Sequence, residues 1–386
     1  MHRPIRLFAL AVLAVTLGAG AIPAQAATTL VPVSAADSAT AVPGSYIVTL
    51  KSGKRPTATL AARGLKAQYV FDKAINGFAA NLTPAQVSLL QRLPEVAAIE
   101  QDQEVSVDTT QTIGSGDSWG LDRIDQKQLP LSGSYTYNAT GAGVNAYVID
   151  TGIYIAHPEF GGRASVAYDA MGKDGIDCNG HGTHVAGTIG SATYGVAKKV
   201  SLYAVRVLNC KGRGTNANVI AGINWVAANH KPNAVANMSL GGAYSAAVNN
   251  AIASLTSSGV FVAVAAGNET TNACNKSPAS APSAFTVAAL DKTDKIASFS
   301  NYGTCVDAYA PGVNITSTVI DNGVDTYSGT SMASPHVAGL GALYKSVYGD
   351  AAPATVSTWI VNNATSGVIS GNPSGTPNKL IYTAGL

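Results

Sequence analysis

Three short segments of the chain contain the residue types of a nucleophile, a base and an orienting acid. Ser331 lies in the segment GTSMASP, directly before an apolar stretch that is compatible with a helix. His181 opens the segment HGTHVAG, and Asp150 lies near the end of the apolar run VIDTG. A serine hydroxyl is a weak nucleophile unless a base takes its proton and a third group orients that base. The three segments therefore predict nucleophilic catalysis by Ser331, with His181 as base and Asp150 as orienting carboxylate.

The elements around these segments predict how they come together. In the second part of the chain, short β-branched runs alternate with helical stretches, and runs such as 146–149 and 260–264 are apolar on both faces. That pattern is typical of a parallel sheet covered by helices on both sides. Ligands of such sheets bind at the carboxyl ends of the strands. Asp150, Ser239 and Asn268 each follow a predicted strand, so we expect them at one edge.

Each residue also has an ordinary structural interpretation when it is taken alone. Ser331 could cap the helix that follows it. Asp150 could be a loop carboxylate, and Asn268 a turn residue after Gly267. The combination of all the segments in one chain favours the catalytic interpretation.

The remaining histidines call for a separate interpretation. His184 follows His181 by three residues, so one helical face could present both to a metal ion. The glutamate of an HExxH motif is absent, which argues against a metal site. We therefore predict a packing role for His184, and we interpret His157 and His230 as surface or loop residues.

Composition limits the classes of function. The chain has 386 residues, of which 46% are hydrophobic and 12% charged, with a formal net charge of +2. Nine basic and seven acidic residues precede residue 109, and fifteen of each follow it. Neither part has the basic excess that binds phosphates, so we expect no nucleic-acid partner.

The first residues have the pattern of a secretory signal peptide at 1–26. Arg3 and Arg6 precede an apolar core at 7–21, and the tripeptide AQA at 24–26 has the form of a cleavage site. The alternative is a transmembrane anchor, but the apolar core is too short and carries the cleavage pattern. We expect an extracellular protein, with no membrane attachment once the signal is removed.

Export predicts an oxidising environment for the four cysteines. Two disulfides are expected there, and four cysteines permit three pairings. A zinc site is the alternative, but no C-x-x-C pair is present. The cysteines are Cys178, Cys210, Cys274 and Cys305.

A linker at 27–43 and a small α+β domain at 44–108 precede the second part of the chain. A strand is predicted at 45–51 and a short one at 96–99. Between them, Thr83 and Gln86 form the two ends of a helix capping box. The rest, 109–386, is predicted to be one α/β domain with a central parallel sheet.

Four motifs carry a resemblance to a known family. VIDTG, HGTHVAG and GTSMASPHVAG contain the three catalytic candidates, and AAGN at 265–268 is the fourth. In these motifs, residues 119–345 resemble the subtilisin-like serine proteases, most closely the proteinase K and aqualysin branch. The resemblance implies a subtilisin-like fold and a secreted serine endopeptidase.

The resemblance also implies further site residues. Asn268 would donate its side-chain amide to the oxyanion, beside the backbone N–H of Ser331. Three segments would bind the substrate backbone and line the S1 pocket, which takes the residue before the scissile bond (P1). Backbone pairing implies broad specificity, with an apolar or aromatic P1 residue. The segment residues are Gly212, Arg213 and Gly214; Ser239, Leu240 and Gly241; and Ala265, Ala266 and Gly267.

The cysteine spacings match the aqualysin pattern, which implies the pairs Cys178–Cys210 and Cys274–Cys305. Structural Ca²⁺ is implied as well, at one or two sites with oxygen ligands. The alternative for the acidic residues is that they are solvated or capping loop residues. The implied ligands are the Pro282 and Ala284 carbonyls with Asp307 at one site, and Asp122, Asp125 and Gln126 at the other.

The small domain at 44–108 resembles the inhibitor-type propeptide of the same family. The resemblance implies that the domain guides folding, that its last residues lie in the cleft, and that the chain cuts itself within 108–112. A permanent N-terminal module is the alternative.

The expected partners are protein and peptide substrates of a monomeric enzyme, together with its own propeptide as intramolecular inhibitor. A serine esterase is the nearest enzymatic alternative, but the serine is not in a G-x-S-x-G motif and the order Asp, His, Ser differs from that of α/β-hydrolases. A catalytically weak, protease-derived binding protein is a further alternative, although no triad member is missing.

Overall fold

The architecture is that of a computed structural model of the chain. For 105–107 and 111–112 the backbone alone is described. The predicted signal peptide lies outside the described residues. Among the residues described, no helix is long and apolar enough to cross a membrane. The structure describes residues 30–36, 38, 41–107, 111–112 and 119–386.

The N-terminal unit is a small twisted sheet with two helices. Its hydrophobic core lies between the sheet and both helices and includes Val48, Phe78 and Leu90. Thr83 and Gln86 form the predicted capping box at the start of the second helix. The elements are β1 (Val33–Ser34), β2 (Ala41–Leu50), α1 (Pro56–Arg63), β3 (Tyr69–Phe71), β4 (Gly77–Asn81), α2 (Pro84–Leu90) and β5 (Val96–Val107).

Part of the predicted linker at 27–43 is strand, which corrects that prediction. β1 pairs in parallel with β5, with Val33 opposite Ile99. β2 begins at Ala41, opposite Gln103 of β5, and not at residue 45. These strands depend on hydrogen bonds to a distant segment, which local composition does not reveal.

The second unit is built around a nine-stranded sheet in the described part of the chain. The strands of this unit, inside and outside that sheet, are β6 (Gln111–Thr112), β7 (Asn145–Asp150), β8 (Ala164–Asp169), β9 (Ser201–Arg206), β10 (Arg213–Thr215), β11 (Ala234–Met238), β12 (Leu240–Ala243), β13 (Phe261–Ala265), β14 (Lys276–Ser277), β15 (Phe285–Leu290), β16 (Ala308–Pro311), β17 (Ile315–Thr318), β18 (Val324–Ser328), β19 (Thr365–Ser366) and β20 (Lys379–Leu380). The strand order in the nine-stranded sheet is β19-β20-β16-β15-β13-β11-β7-β9-β8, and every neighbouring pair is parallel except β19 with β20.

Helices cover both faces of this sheet, as the apolar strands predict. Along β7, Ala146 and Val148 pack into one core with α4 and α7, while Tyr147 and Ile149 pack into the other core with α5 and α6. Two short 3₁₀ helices lie at Pro158–Phe160 and Ala273–Asn275. The α-helices are α3 (Trp119–Ile124), α4 (His181–Gly190), α5 (Asn216–Asn229), α6 (Ala246–Ser257), α7 (Thr330–Tyr348) and α8 (Pro353–Asn363).

Strand β5 joins the two units, because it runs far beyond the short strand predicted at 96–99. Its last residues lie between two strands of the second unit: Gly214 of β10 is opposite Val105, and Leu240 of β12 is opposite Val107. Beyond the gap at 108–110, β6 pairs with β18. The chain therefore occupies its own cleft as a central strand.

Candidate active site

The three catalytic candidates lie at the ends of three elements that meet at the carboxyl edge of the sheet. Asp150 ends β7, His181 is the first residue of α4, and Ser331 is the second residue of α7. The imidazole of His181 donates through Nδ1 to Asp150 Oδ1 at 2.8 Å. Both side chains are buried, and Asp150 Oδ1 also accepts from the Thr151 N–H. A proton fixed on Nδ1 leaves Nε2 as the basic nitrogen.

The other ring nitrogen of His181 has no hydrogen-bond partner among the described residues, and neither does Asp150 Oδ2. The Ser331 hydroxyl instead donates to the Ser239 carbonyl oxygen at 3.2 Å. The Ser239 hydroxyl in turn donates to the Ser331 carbonyl oxygen at 2.7 Å. Bonds between nucleophile and base are often long in the absence of substrate and tighten in the reacting complex. The arrangement therefore suits a base that engages the serine during the reaction.

Asn268 is oriented by the residue that precedes Ser331. Its Oδ1 accepts hydrogen bonds from both the N–H and the hydroxyl of Thr330. Thr330 Oγ1 also accepts from the Gly267 N–H at 3.0 Å. Gly267 has φ +99°, and a Cβ there would lie 2.3 Å from Asn301 Nδ2, so glycine is required. These contacts make Nδ2 the donor end of the Asn268 amide. Sequence reasoning missed Thr330, although it lies within the quoted serine motif.

The predicted substrate strands lie on either side of the last residues of β5. Arg213 is opposite Ser106, as is Gly241 from the other side. A Cβ at Gly214 would lie 2.4 Å from the Val207 carbonyl oxygen, which explains the glycine. Gly212, at φ +68°, forms the turn before β10. An extended peptide can therefore pair with main chain on both sides here.

A narrow pocket opens beside the substrate strands. Gly241, Ala265, Ala266 and Gly267 of the predicted S1 segments line this pocket, whereas Ser239 and Leu240 do not. It also contains a charged pair that sequence reasoning missed, Glu269 and Lys276. The lining residues are Gly241, Gly242, Ala265, Ala266, Gly267, Glu269, Lys276, Ser277 and Ala279.

Two buried carboxylates of β5 contact helix N-termini of the second unit. Glu100 accepts from the Ser245 hydroxyl and the Ala247 N–H at the start of α6. Asp102 accepts from the Ala217 N–H at the start of α5. Burial raises the pKa of both carboxyls, and these hydrogen bonds lower it only in part. Sequence reasoning missed both, although their spacing of two places them on one face of a strand.

The disulfides in the structure are Cys178–Cys210 and Cys274–Cys305. The first begins three residues before His181, the candidate base. Between Cys178 and His181, the Asn179 side chain accepts from the His181 N–H at 3.2 Å and donates to the Cys210 carbonyl oxygen at 3.1 Å. Asn179 therefore connects this disulfide to the start of α4.

Two histidines outside the candidate triad are buried and bonded to backbone carbonyl oxygens. His184 is buried, contacts the Ile315 carbonyl oxygen through Nε2 at 3.0 Å, and stacks on Tyr327. Burial lowers its pKa to about 3, so it stays neutral, in keeping with a packing role. His157, interpreted as a surface or loop residue, lies in a loop but is buried. It contacts the Gly323 carbonyl oxygen because this loop packs against the turn before β18.

The predicted calcium ligands Asp122, Asp125 and Gln126 accept hydrogen bonds from backbone N–H groups of the same chain. Asp122 is buried and accepts from the N–H groups of Ser132 and Gly133. Asp125 accepts from the Thr136 N–H, and Gln126 Oε1 accepts from the Ser132 N–H. These three residues therefore organise the 132–136 loop.

At the other predicted calcium site, Asp307 accepts from the Thr286 N–H at 2.7 Å, two residues beyond Ala284. Burial raises the pKa of this carboxyl to about 6. Pro282 is exposed and Ala284 is buried. The described residues contain no cluster of three or more His, Cys, Asp or Glu side chains suited to a metal ion. A calcium ion would therefore depend on carbonyl oxygens as well as on the Asp307 carboxylate, a donor set that fits Ca²⁺.

Comparison with known families and proteins agrees with this geometry. The sequence model of the subtilase family matches residues 141–380, and that of the peptidase inhibitor I9 family matches residues 45–108. The extracellular serine proteinase of Thermus sp. (strain Rt41A) is 46% identical, and the alignment covers 94% of each chain. Alkaline serine exoprotease A of Vibrio alginolyticus is 49% identical, over 83% of this chain and 60% of that relative.

A solved structure gives the same result. The crystal structure of a cold adapted subtilisin-like serine proteinase is 50% identical, with a TM-score of 0.68, and the match covers 70% of this chain and 99% of that one. The predicted fold, with a parallel sheet between helices and a small N-terminal domain, is thereby confirmed. Structural calcium is common in the subtilase family. The chain belongs to this family: it is a secreted subtilisin-like serine protease with an inhibitor I9 segment ahead of its protease domain.

Proposed function

We propose that this protease hydrolyses peptide bonds through Asp150, His181 and Ser331. Ser331 Oγ attacks the scissile carbonyl carbon while His181 Nε2 takes its proton. His181 then gives this proton to the leaving amine, and an acyl-enzyme forms on Ser331. Water, deprotonated by His181, releases the acyl group. Asp150 remains ionised, fixes the imidazole tautomer and stabilises the imidazolium.

The observation that carries this assignment is the hydrogen bond between His181 Nδ1 and Asp150 Oδ1, 2.8 Å long and buried. It gives the imidazole the tautomer that a general base needs. The oxyanion of the tetrahedral intermediate would accept from Asn268 Nδ2 and from the Ser331 N–H at the start of α7. Such donors act where charge develops in the transition state.

We also propose that substrates bind as β5 does, extended between β10 and β12. Main-chain pairing selects little among side chains, so specificity is broad, and P1 is apolar or aromatic within walls of glycine and alanine. Protein and peptide substrates fit this groove. The enzyme acts as a monomer, with no nucleic-acid or membrane partner.

The N-terminal unit is proposed to be an intramolecular inhibitor that the enzyme removes by cutting its own chain within 108–112. The pairing of β5 with both substrate strands supports this role. The proposed division is a signal peptide at 1–26, a segment at 27–43 that contributes strand residues to the N-terminal sheet, a propeptide at 44–108 and a catalytic domain at 109–386. Residues 108–110 lie outside the described part of the chain.

One or two structural Ca²⁺ ions are proposed to stabilise the enzyme without taking part in the chemistry. Asp307 would hold one ion together with the Pro282 and Ala284 carbonyl oxygens. Asp122, Asp125 and Gln126 would hold the other, with the 132–136 loop around it.

Ser331→Ala tests the catalytic and self-processing assignments together. We expect no casein hydrolysis and an uncut precursor in N-terminal sequencing of the secreted protein. Ser346→Ala, a change in the same helix α7 of a half-buried serine bonded to the Leu343 carbonyl oxygen, is the matched control and should mature normally. A correctly matured Ser331→Ala protein, produced without other proteases, would contradict self-processing.

A further inference from the structure

The Cys178–Cys210 disulfide lies against a buried guanidinium group. Arg206 Nη2 lies 3.0 Å from Cys178 Sγ and 3.6 Å from Cys210 Sγ. The Arg206 side chain is only 2% exposed. Because water screens a buried charge little, its field acts on both sulfurs, and it acts more strongly on the nearer one, Cys178 Sγ.

Backbone contacts hold the guanidinium in this position. Its Nη1 donates to the Ile176 carbonyl oxygen at 2.9 Å, and its Nε donates to the Leu208 carbonyl oxygen at 3.3 Å. A carboxylate offsets the charge only in part: Asp174 Oδ1 lies 3.6 Å from Arg206 Nη1, but this side chain is 72% exposed. The positive charge at the sulfurs is therefore fixed in position and weakly neutralised.

The disulfide is also accessible from solvent. Cys178 and Cys210 are exposed, whereas Cys274 and Cys305 are half-buried. The sulfur of Cys274 is in contact with a neutral hydroxyl, Thr304 Oγ1, at 3.6 Å. A reagent in solution can therefore reach the Cys178–Cys210 disulfide more readily, and it meets a cation there.

The position of Arg206 determines which sulfur leaves when a thiol attacks this disulfide. A neighbouring cation favours the thiolate form of a cysteine, and the thiol that ionises more readily is the better leaving group in thiol–disulfide exchange. We propose that Cys178–Cys210 is an exchange site for small thiols of the glutathione type. The thiolate of the reagent attacks Cys210 Sγ and forms a mixed disulfide with it. The bond to Cys178 breaks, and its electron pair leaves with Cys178 as a thiolate beside Arg206.

Opening this disulfide acts on the proposed base. The Asn179 side chain accepts from the His181 N–H at 3.2 Å and donates to the Cys210 carbonyl oxygen at 3.1 Å. Exchange at Cys210 loosens the segment that Asn179 spans, so His181 loses part of the support that fixes its position. This consequence rests on the proposed function, because it requires His181 to be catalytic. The exchange site itself depends only on the sulfurs and Arg206.

The site is tested on the full-length Ser331→Ala chain, in which self-digestion is prevented. The protein is incubated with reduced glutathione at about pH 8, where part of the reagent is thiolate. The reaction is stopped early at low pH, free thiols are alkylated, and the peptides are mapped by mass spectrometry. We expect glutathione on Cys210 and a free Cys178, in at least about threefold excess over the reverse product. The Cys274–Cys305 disulfide should still be intact at this stage.

Asp174→Asn should raise the rate of opening about two- to threefold at low salt, because it removes the carboxylate that offsets the Arg206 charge. Asp174 Oδ1 also accepts from the Ile176 N–H, a contact that asparagine can keep. Asp291→Asn is the matched control and should leave the rate unchanged. Asp291 Oδ1 accepts from the Thr293 N–H in the same way, but Asp291 follows β15, and three strands lie between β15 and β9, which ends at Arg206.

Arg206→Gln should slow the opening and remove the preference between the two sulfurs. If this buried substitution prevents folding, the product distribution in the Ser331→Ala chain and the rate in Asp174→Asn carry the test. Equal amounts of glutathione on Cys178 and Cys210, or earlier opening of Cys274–Cys305, would overturn the exchange site.

The effect on catalysis is measured with matured wild-type enzyme and a chromogenic peptide. The value of kcat should fall in proportion to the fraction of Cys210 that carries glutathione. It should return when reduced glutathione is removed, because the Cys178 thiolate then attacks the mixed disulfide and releases glutathione. An unchanged kcat in modified enzyme would overturn the effect on His181. An enzyme without activity before glutathione is added would overturn the proposed function, and the peptide map would still decide the exchange site.

Discussion

Both hydrogen-bond donors of Thr330, the backbone N–H and the hydroxyl, lie 2.9 Å from Oδ1 of Asn268. The residue before the proposed nucleophile thus orients the Asn268 amide so that Nδ2 is its donor end for a substrate. The position and orientation of this proposed oxyanion donor are therefore coupled to the start of helix α7. This coupling makes Asn268 the sharpest single test of the proposed transition-state contacts.

Asn268→Ala should lower kcat by about 10²–10³-fold, the size of loss known for the oxyanion donor of subtilisin, and change KM little. The reason is that the accepting oxygen becomes strongly charged only in the tetrahedral intermediate. Steady-state kinetics on a chromogenic peptide, after maturation by wild-type enzyme in trans, measures both constants.

Thr330→Ser keeps the hydroxyl that orients Asn268 and is the control for this experiment. It should retain most of the wild-type kcat. An Asn268→Ala enzyme with kcat within threefold of wild type, or with a loss confined to KM, would identify Asn268 as a turn residue instead.

The acidic residues of β5 predict a pH-dependent precursor. Burial raises the pKa of Glu100 and Asp102 in the folded chain above that in the unfolded chain. A raised folded-state pKa contributes stability that is fully present below the ordinary carboxyl pKa and is lost as pH rises through the raised value. The melting temperature of the Ser331→Ala precursor should therefore fall as pH rises from the ordinary carboxyl pKa through the raised pKa values of these two groups.

Glu100→Gln with Asp102→Asn should remove this fall, so that the melting temperature of the precursor depends less on pH. Thermal melts from pH 4 to 8 measure the effect. Glu104→Gln, at an exposed position of the same strand, is the control and should leave the profile unchanged. An identical profile in the double variant would show that these carboxyls do not titrate in the window.

Chelation should shorten the inactivation half-life and increase autolysis without changing kcat measured at once after mixing. A structural ion stabilises the folded state by mass action and leaves the triad chemistry alone. The half-life at raised temperature is measured with EDTA and again after Ca²⁺ is added back. An unchanged half-life in calcium-free buffer would contradict occupied sites.

The two disulfides should differ in their effect on activity. They link residues 32 and 31 apart in sequence, so removing either should cost about 3–4 kcal/mol in the loop-entropy model. Cys178→Ser with Cys210→Ser should also lower kcat, because Asn179 connects that loop to the His181 N–H. Cys274→Ser with Cys305→Ser is the matched control for stability alone. Equal kcat in both double variants would rule out the connection.

Local patterns were sufficient for much of the fold. The alternation of apolar runs with helical stretches was enough to predict a parallel sheet covered by helices such as α6, because both periodicities are local properties of the sequence. The capping box of Thr83 and Gln86 likewise depends on residues three apart. The segments that contain the catalytic candidates were located by motif, and the parallel sheet explains why they meet.

Non-local partners explain what the sequence did not reveal. Residues 100–104 are all polar or acidic, so local pattern does not predict a strand there. β2 supplies partners for 100, 101 and 103, and β10 and β12 supply partners for 104–107 from more than 100 positions away. The ion pair of Glu269 and Lys276 forms across a turn whose course depends on Asn301. The burial of His157, which was interpreted as a surface or loop residue, depends on a distant turn and leaves no local pattern.

The continuity of the chain through its own cleft has a kinetic consequence. Since β5 and β6 belong to the chain that would be cut, the first cleavage is a unimolecular event whose rate constant is independent of precursor concentration. After this proposed cut the two new ends would still be paired to β12 and β18, so the cut precursor would persist as a two-chain complex. Destruction of the released inhibitor by another enzyme molecule would be bimolecular and autocatalytic, and activity in a secreted culture should therefore emerge after a lag that shortens as the protein accumulates.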